Sequence, residues 1–132
     1  MEARELRIGN YVYDNLVIRE VIKIGSWECE LSNKFRYDYL VRSENIEPIH
    51  LTEEWLVKMG FKIWGHVSSK MAVLEINEFT EFEYDLVAKT FHITYNDFIV
   101  DGKHSSMEVQ IKYVHQLQNL YFALTGDELV LK

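Results

Sequence analysis

Apolar and polar positions change period along this chain, and the changes mark its elements. From Arg7 to Arg42 short β-branched and aromatic runs alternate with turn signals at Gly9-Asn10, Asp14-Asn15, Gly25-Ser26 and Ser32-Asn33, which predicts four or five short strands. In the run from Leu16 to Ile24 the alternation is broken by adjacent Arg19 and Glu20, as expected of a strand bent or bulged in its middle. Such curvature suits a small barrel, and the order of a short strand, a turn, a long second strand and two more is SH3-like, ending near Ile49. Residues 43–48 connect, with Pro48 keeping Glu47 out of helical geometry.

A helix over 52–59 is then well specified. Thr52 stands at the N-cap, Glu53 and Glu54 in the first turn where the helix dipole favours anions, and Gly60 just past the end. Leu51 and Leu56 hold the positions of a hydrophobic staple, and Trp55, Leu56 and Met59 form the apolar stripe. Strand period returns over 61–111, with runs 61–64, 70–76, 81–88, 90–95 and 98–100 forming an antiparallel meander. Breaks fall at Gly65-His66, Asn77-Glu78, Asn96-Asp97 and Asp101-Gly102. Strict alternation from Glu81 to Leu86 puts Phe82, Tyr84 and Leu86 on one face and Glu81, Glu83 and Asp85 on the other. Residues 105–112 satisfy both a capping box (Ser105, Glu108) and a strand alternation, and we assign a strand to about Lys112. The last helix, 113–124, has Val114, Leu117, Tyr121 and Leu124 as its core stripe and Gly126 as its stop; Leu129 and Leu131 could add a closing strand.

The expected fold class is therefore α+β: an N-terminal SH3-like small β-barrel, a short helix, an antiparallel β-meander and a C-terminal helix. We expect one compact unit over 1–132, with an SH3-like subdomain in 1–50 and the helix, meander and C-terminal helix in 51–132.

Composition narrows the function. Hydrophobic residues at 48% and charged residues at 27% are globular values. The net charge is −7, shared between the two halves with no basic cluster, so nucleic acid is a disfavoured partner. One cysteine, Cys29, excludes an internal disulfide and suits a reducing compartment; a charged N-terminus and the lack of an apolar run of about 18 residues argue against a leader or a membrane span. We expect a soluble, cytoplasmic, acidic protein.

Three stretches, residues 5–12 (ELRIGNYV), 46–61 (IEPIHLTEEWLVKMGF) and 112–129 (KYVHQLQNLYFALTGDEL), together resemble a family of small uncharacterised proteins from anaerobic gut bacteria and from their phages and mobile elements. The resemblance implies the same whole-chain architecture and a bacterial or phage setting.

Chemistry-bearing motifs are sparse. The histidines His50, His66, His92, His104 and His115 avoid the spacings that put two imidazoles on one metal, Cys29 lies between two glutamates that would raise its thiol pKa, and no glycine-rich phosphate loop occurs. We expect no metal, no cofactor and no catalytic residue. The carboxylates of Glu81, Glu83 and Asp85, about 7 Å apart along one strand face, read as a solvated surface.

Two constellations remain. Tyr11, Tyr13, Trp27, Phe35, Tyr37 and Tyr39 cluster in the expected barrel, where half can be core and the rest an aromatic ridge that grips a peptide. On the last helix, which carries no charge from Tyr113 to Gly126, His115, Gln118, Asn119 and Phe122 share a face. Neutral amides there either satisfy internal backbone groups or form the centre of an interface. The candidate interaction surface is therefore His115, Gln118, Asn119, Phe122, Tyr11, Tyr13 and Trp27, and the partner is another protein or a second copy of this chain. A non-catalytic interaction or accessory module is the expected function. The competing classes are a small hydrolase or metal-dependent enzyme with a site assembled from distant residues, and an acidic inhibitor that mimics DNA.

Overall fold

A computed structural model describes residues 1, 3–25, 28–32, 39–97 and 103–132. The chain is α+β, with two antiparallel sheets and a C-terminal helix, and it divides into two compact units. Unit 1 comprises Met1–Leu51 and Lys112–Leu129; unit 2 comprises Thr52–Ile111 and Val130–Lys132. The C-terminal helix, expected with the meander, thus lies in unit 1.

In unit 1 the strands β1 (Tyr11–Asp14), β2 (Val17–Ile24), β3 (Glu28–Leu31) and β4 (Tyr39–Arg42) are ordered β1-β2-β3-β4. The long strand serves two neighbours: residues 17–20 pair with β1, and Val21, Lys23 and Ile24 pair with β3 across a register slip between Val21 and Lys23. That slip is the irregularity announced by Arg19 and Glu20, displaced slightly toward the C-terminus. β1 and β2 meet in a two-residue turn in which Asn15 (φ 47°) and Leu16 (φ 65°) are both left-handed, the conformation that best matches strand twist in a tight hairpin. After β4 a 3-10 turn (Ser43–Asn45) leads to Glu47, whose N–H donates to the Tyr13 carbonyl at 3.0 Å while its carbonyl accepts from Tyr13 N at 2.9 Å. The returning segment is one bridge long, so the sheet does not close into a barrel among the described residues. Leu6, Val12, Val21, Cys29, Leu31 and Ile46 form its core, with Met1 and Val41 packed against it. Cys29 is the buried strand residue expected, and burial pushes its thiol pKa up.

Helix α2 (Val114–Thr125) completes the unit. Gln116 Oε1 accepts from the backbone N–H groups of Lys112 (2.8 Å) and Tyr113 (3.2 Å) ahead of the helix, and Gly126, at φ 77°, donates to the Phe122 carbonyl at 2.8 Å to end it. Val114 and Leu117 are fully buried, whereas Leu124 is 52% exposed and leaves the expected stripe. The helix is tied to the segment before unit 2: Val114 N donates to Ile49 O at 2.8 Å, and Leu51 N to Lys112 O at 3.0 Å.

Unit 2 begins with α1 (Glu53–Lys58), capped by Thr52, whose hydroxyl accepts from Trp55 N. Trp55, Leu56 and Met59 are buried as the stripe requires, and the helix packs on the first two strands of the meander. Lys70 Nζ reaches Glu53 Oε2 at 2.8 Å from the second of them. The meander is β5 (Lys62–His66), β6 (Ser69–Glu75), β7 (Thr80–Asp85), β8 (Thr90–Asp97) and β9 (Lys103–Val109), each paired with the next in sequence. Phe82 and Tyr84 point inward, with Phe82 edge-on to Phe91 at 5.2 Å.

Several boundaries depart from the pattern: Gly65-His66, expected as a break, end β5 and pair with Lys70 and Ser69. Leu86 falls in the turn after β7, where Asp85 Oδ1 caps the N–H groups of Val87 and Ala88. Asn96-Asp97, expected as a break, continue β8, and the short strand expected at 98–100 lies outside the described residues. β9 ends at Val109, short of Lys112, and residues 129–131 form no strand, although Leu129 is buried.

Candidate functional site

The polar face of α2 meets the edge of β1. Gln118, buried to 1% exposure, accepts from Tyr11 N at 2.9 Å through Oε1 and donates Nε2 to Gly9 O at 3.0 Å. Its primary amide therefore carries on the edge pairing that Glu47 makes with Tyr13 two residues along, and the outer edge of β1 is sealed partly by backbone and partly by a side chain. Asn119 does a similar task one residue on. Its Nδ2 donates to Glu5 O at 3.0 Å, and its Oδ1 accepts from Asn10 Nδ2 at 2.9 Å and from Arg7 Nη1 at 3.4 Å. Asn10, fully buried, accepts in turn from Arg7 N at 2.7 Å. The Arg7 guanidinium lies 3.7 Å from the centre of the Phe122 ring and pairs with Glu128 at 2.6 Å.

His115 lies apart from this seam. It is 1% exposed, its ring stacks on Tyr113 at 5.8 Å, and neither ring nitrogen has a hydrogen-bond partner among the described residues. Glu5 Oε2 is 3.8 Å from Nε2, beyond hydrogen-bond reach. Burial, aided by the N-terminal ammonium, pushes the imidazole pKa down to about 4, so the ring is neutral at ordinary pH and acts as an apolar packing group.

Of the seven residues singled out by sequence, six can therefore be placed, and Trp27 lies outside the described residues, as do Phe35 and Tyr37. Tyr11, Gln118, Asn119 and Phe122 gather at the β1–α2 seam, in contact directly or through Arg7. Tyr11 and Tyr13 are half-buried on the side of β1 opposite Val12; burial, then the neighbouring Glu20, raises the Tyr11 pKa. Because His115 and Gln118 are inside unit 1, the surface this face offers a partner is reduced to Phe122, 38% exposed, and its neighbours toward the C-terminus.

A second feature of unit 1 was not singled out by sequence. A cleft of about 690 Å³ opens where the sheet fails to close, lined by Asp14 at the end of β1, Asn15 from the β1–β2 turn, Leu40 and Arg42 from β4, and Glu44 and Glu47 from the segment that follows. Three carboxylates face it against one guanidinium, and Arg42 is itself 3.6 Å from Glu44. On the same hairpin Leu16 (84% exposed), Val17 and Ile18 project from the protein surface. The available sequence signal was the turn Asp14-Asn15-Leu16: a hairpin turn with both central residues left-handed normally takes glycine where this chain has leucine.

Among the described residues, no group of three or more His, Cys, Asp or Glu side chains is placed to hold a metal ion, and no helix is long and apolar enough to cross a membrane. No protein-family model, curated protein or solved structure matches the chain.

Proposed function

We propose that the chain is a non-catalytic protein-interaction module, with its docking site on unit 1 at the β1–β2 hairpin and the cleft beside it. Leu16 carries this reading. A leucine held at φ 65° costs about 1–2 kcal/mol relative to an ordinary backbone conformation, and at 84% exposure its side chain gains little from packing within the chain. Strained residues persist where function retains them, and an apolar tip of Leu16, Val17 and Ile18 beside a cleft is suited to burial by a partner. The SH3-like character of the module is supported by four antiparallel strands followed by a 3-10 turn and a segment that returns to β1. The setting we propose is the cytoplasm of a bacterium, in a chain of bacterial, phage or mobile-element origin, as the sequence resemblance implies.

The test is selection of bacterial protein fragments displayed on phage against the immobilised full chain, in parallel with its Leu16→Asp variant. Aspartate tolerates left-handed backbone, so the fold is kept. Fragments that bind the parent saturably in calorimetry and lose at least about tenfold in affinity, about 1.4 kcal/mol, for the variant support the docking site. Fragments that bind both equally, or no fragment at all, would count against it.

A further inference from the structure

The two edges of the unit 1 sheet are treated differently, and the difference identifies a partner class. β1's outer edge is occupied by Glu47 and Gln118. Among the described residues β4, at the opposite edge, pairs with β3 alone, and no backbone group of Tyr39–Arg42 bonds to anything beyond β3. An unsealed strand edge is a template for another strand. Here it borders the acidic cleft, and Leu40, 62% exposed, stands between that cleft and a second hollow of about 220 Å³ that carries Glu28 and Glu30. Among the described residues, the free edge thus faces the three carboxylates of the cleft against Arg42, with Glu28 and Glu30 one strand away on β3.

We propose that the β4 edge accepts an extended, basic segment of a partner protein as an added strand, its Lys or Arg side chains reaching Asp14, Glu44 and Glu47 across the cleft. The inference rests on the interaction-module reading and names the chemistry of its partner. Backbone pairing supplies the affinity in strand addition, and side chains at alternate positions supply the specificity. A four-residue edge is about 13 Å long, room for two side chains of the added strand on the cleft side. Charge selects the occupant. A second copy of this chain would set the same carboxylates against each other on a molecule of net charge −7, whereas like charges brought together cost affinity and opposite charges speed encounter.

The experiment titrates the 15N-labelled full chain with a blocked eight-residue peptide alternating lysine and valine. Its controls are a glutamate–valine counterpart and the lysine–valine peptide N-methylated at alternate amides, which cannot pair with a strand. Saturable shifts at the amides of Leu40, Val41, Arg42 and Glu47 are expected, with binding about fivefold weaker or more when salt is raised from 50 to 300 mM. The Glu44→Gln/Glu47→Gln variant, altered at exposed positions, should weaken binding by about fivefold or more, and N-methylation should abolish it. Equal binding of the acidic peptide, undiminished binding of the methylated one, or peptide-independent dimerisation through β4 would each overturn the proposal. If β4 stays silent while displayed fragments still depend on Leu16, the strand-addition proposal fails and the interaction-module reading stands; if neither binds, both fall.

Discussion

The two units satisfy their backbone groups by different means. In unit 2 each strand of the meander pairs with the next along the chain, through registers of five to seven partners without a slip. In unit 1 the strands are mostly four residues long, the register slips within β2, and the edge of β1 is completed by an amide side chain 107 residues away. A ladder built from neighbours in sequence is insensitive to any one side chain outside its turns. A sheet edge completed by a distant side chain depends on that side chain, and the same openness leaves room for a partner.

The largest effect should come from the end of β5, beside the first turn of the regular unit. Gly65 has φ 93°, and a Cβ there would collide with the Ser69 carbonyl oxygen on the adjacent strand. A Gly65→Val variant must both abandon that backbone conformation and displace β6, at a cost of about 4 kcal/mol. Amide hydrogen exchange resolved by residue should show β5 and β6 losing protection while the core of unit 1 keeps it; equal losses throughout would show that the two units unfold together.

Acid tests unit 1 through His115. Its folded pKa of about 4 lies below the ordinary value of 6.5, so between these values the unfolded chain takes up a proton that the folded chain refuses. Stability is therefore full above about pH 6.5 and falls as pH drops toward 4, by about 3 kcal/mol from this one group. Denaturant titrations at pH 7 and pH 4 should show a His115→Phe variant losing less stability over that interval than the parent, by an amount of that order. Parallel losses in the two proteins would exclude the imidazole as the cause.

The seam itself is tested by Gln118→Leu, which keeps the bulk and removes both hydrogen bonds. Leaving Gly9 O and Tyr11 N without partners should cost about 2–3 kcal/mol and raise the exchange rate of the Tyr11 amide, with β5–β9 unaffected. The smallest effect has the opposite sign. Leu16→Gly relieves the left-handed strain, less the added freedom glycine gives the unfolded chain, and should stabilise the protein by about 0.5 kcal/mol, read as a rise in Tm. A fall in Tm would mean that Leu16 is held by packing within the chain, which would weaken the case for a docking tip.

The same contrast explains what could be read from the residues. Thr52, Glu53, Glu54 and Gly60 specify α1 because a capped helix is a local object, and Phe82 and Tyr84 reveal their buried face because side chains in a strand alternate. The four-strand pattern of unit 1 was legible for the same reason. Its failure to close was not, since closure depends on how far the segment around Glu47 runs alongside β1, and a single bridge leaves no pattern. Gln118 and Asn119 stand out as uncharged amides on one helix face, but the groups they satisfy, at Gly9, Tyr11, Glu5 and Asn10, lie more than 100 residues earlier. Leu124 fits the helical stripe but is exposed, because the buried residues of α2, Val114, His115, Leu117 and Gln118, all lie in its first half. The cleft is not legible in the sequence because its carboxylates come from two segments about 30 residues apart, one with Asp14 and the other with Glu44 and Glu47.

The pairing of Ile49 and Leu51 with Val114 and Lys112 has a consequence for synthesis. All of unit 2 except its last three residues is contiguous and is translated before α2 exists. As the nascent chain leaves the ribosome, the meander can close its own ladder at once, while the first fifty residues wait with β1 unsealed until the chain doubles back at Lys112 and delivers Gln118. Until then a chaperone or a misplaced strand from another nascent copy would find the β1 edge that Gln118 later occupies accessible. Unit 1 can thus be completed only once α2 has been made, after the whole of the meander.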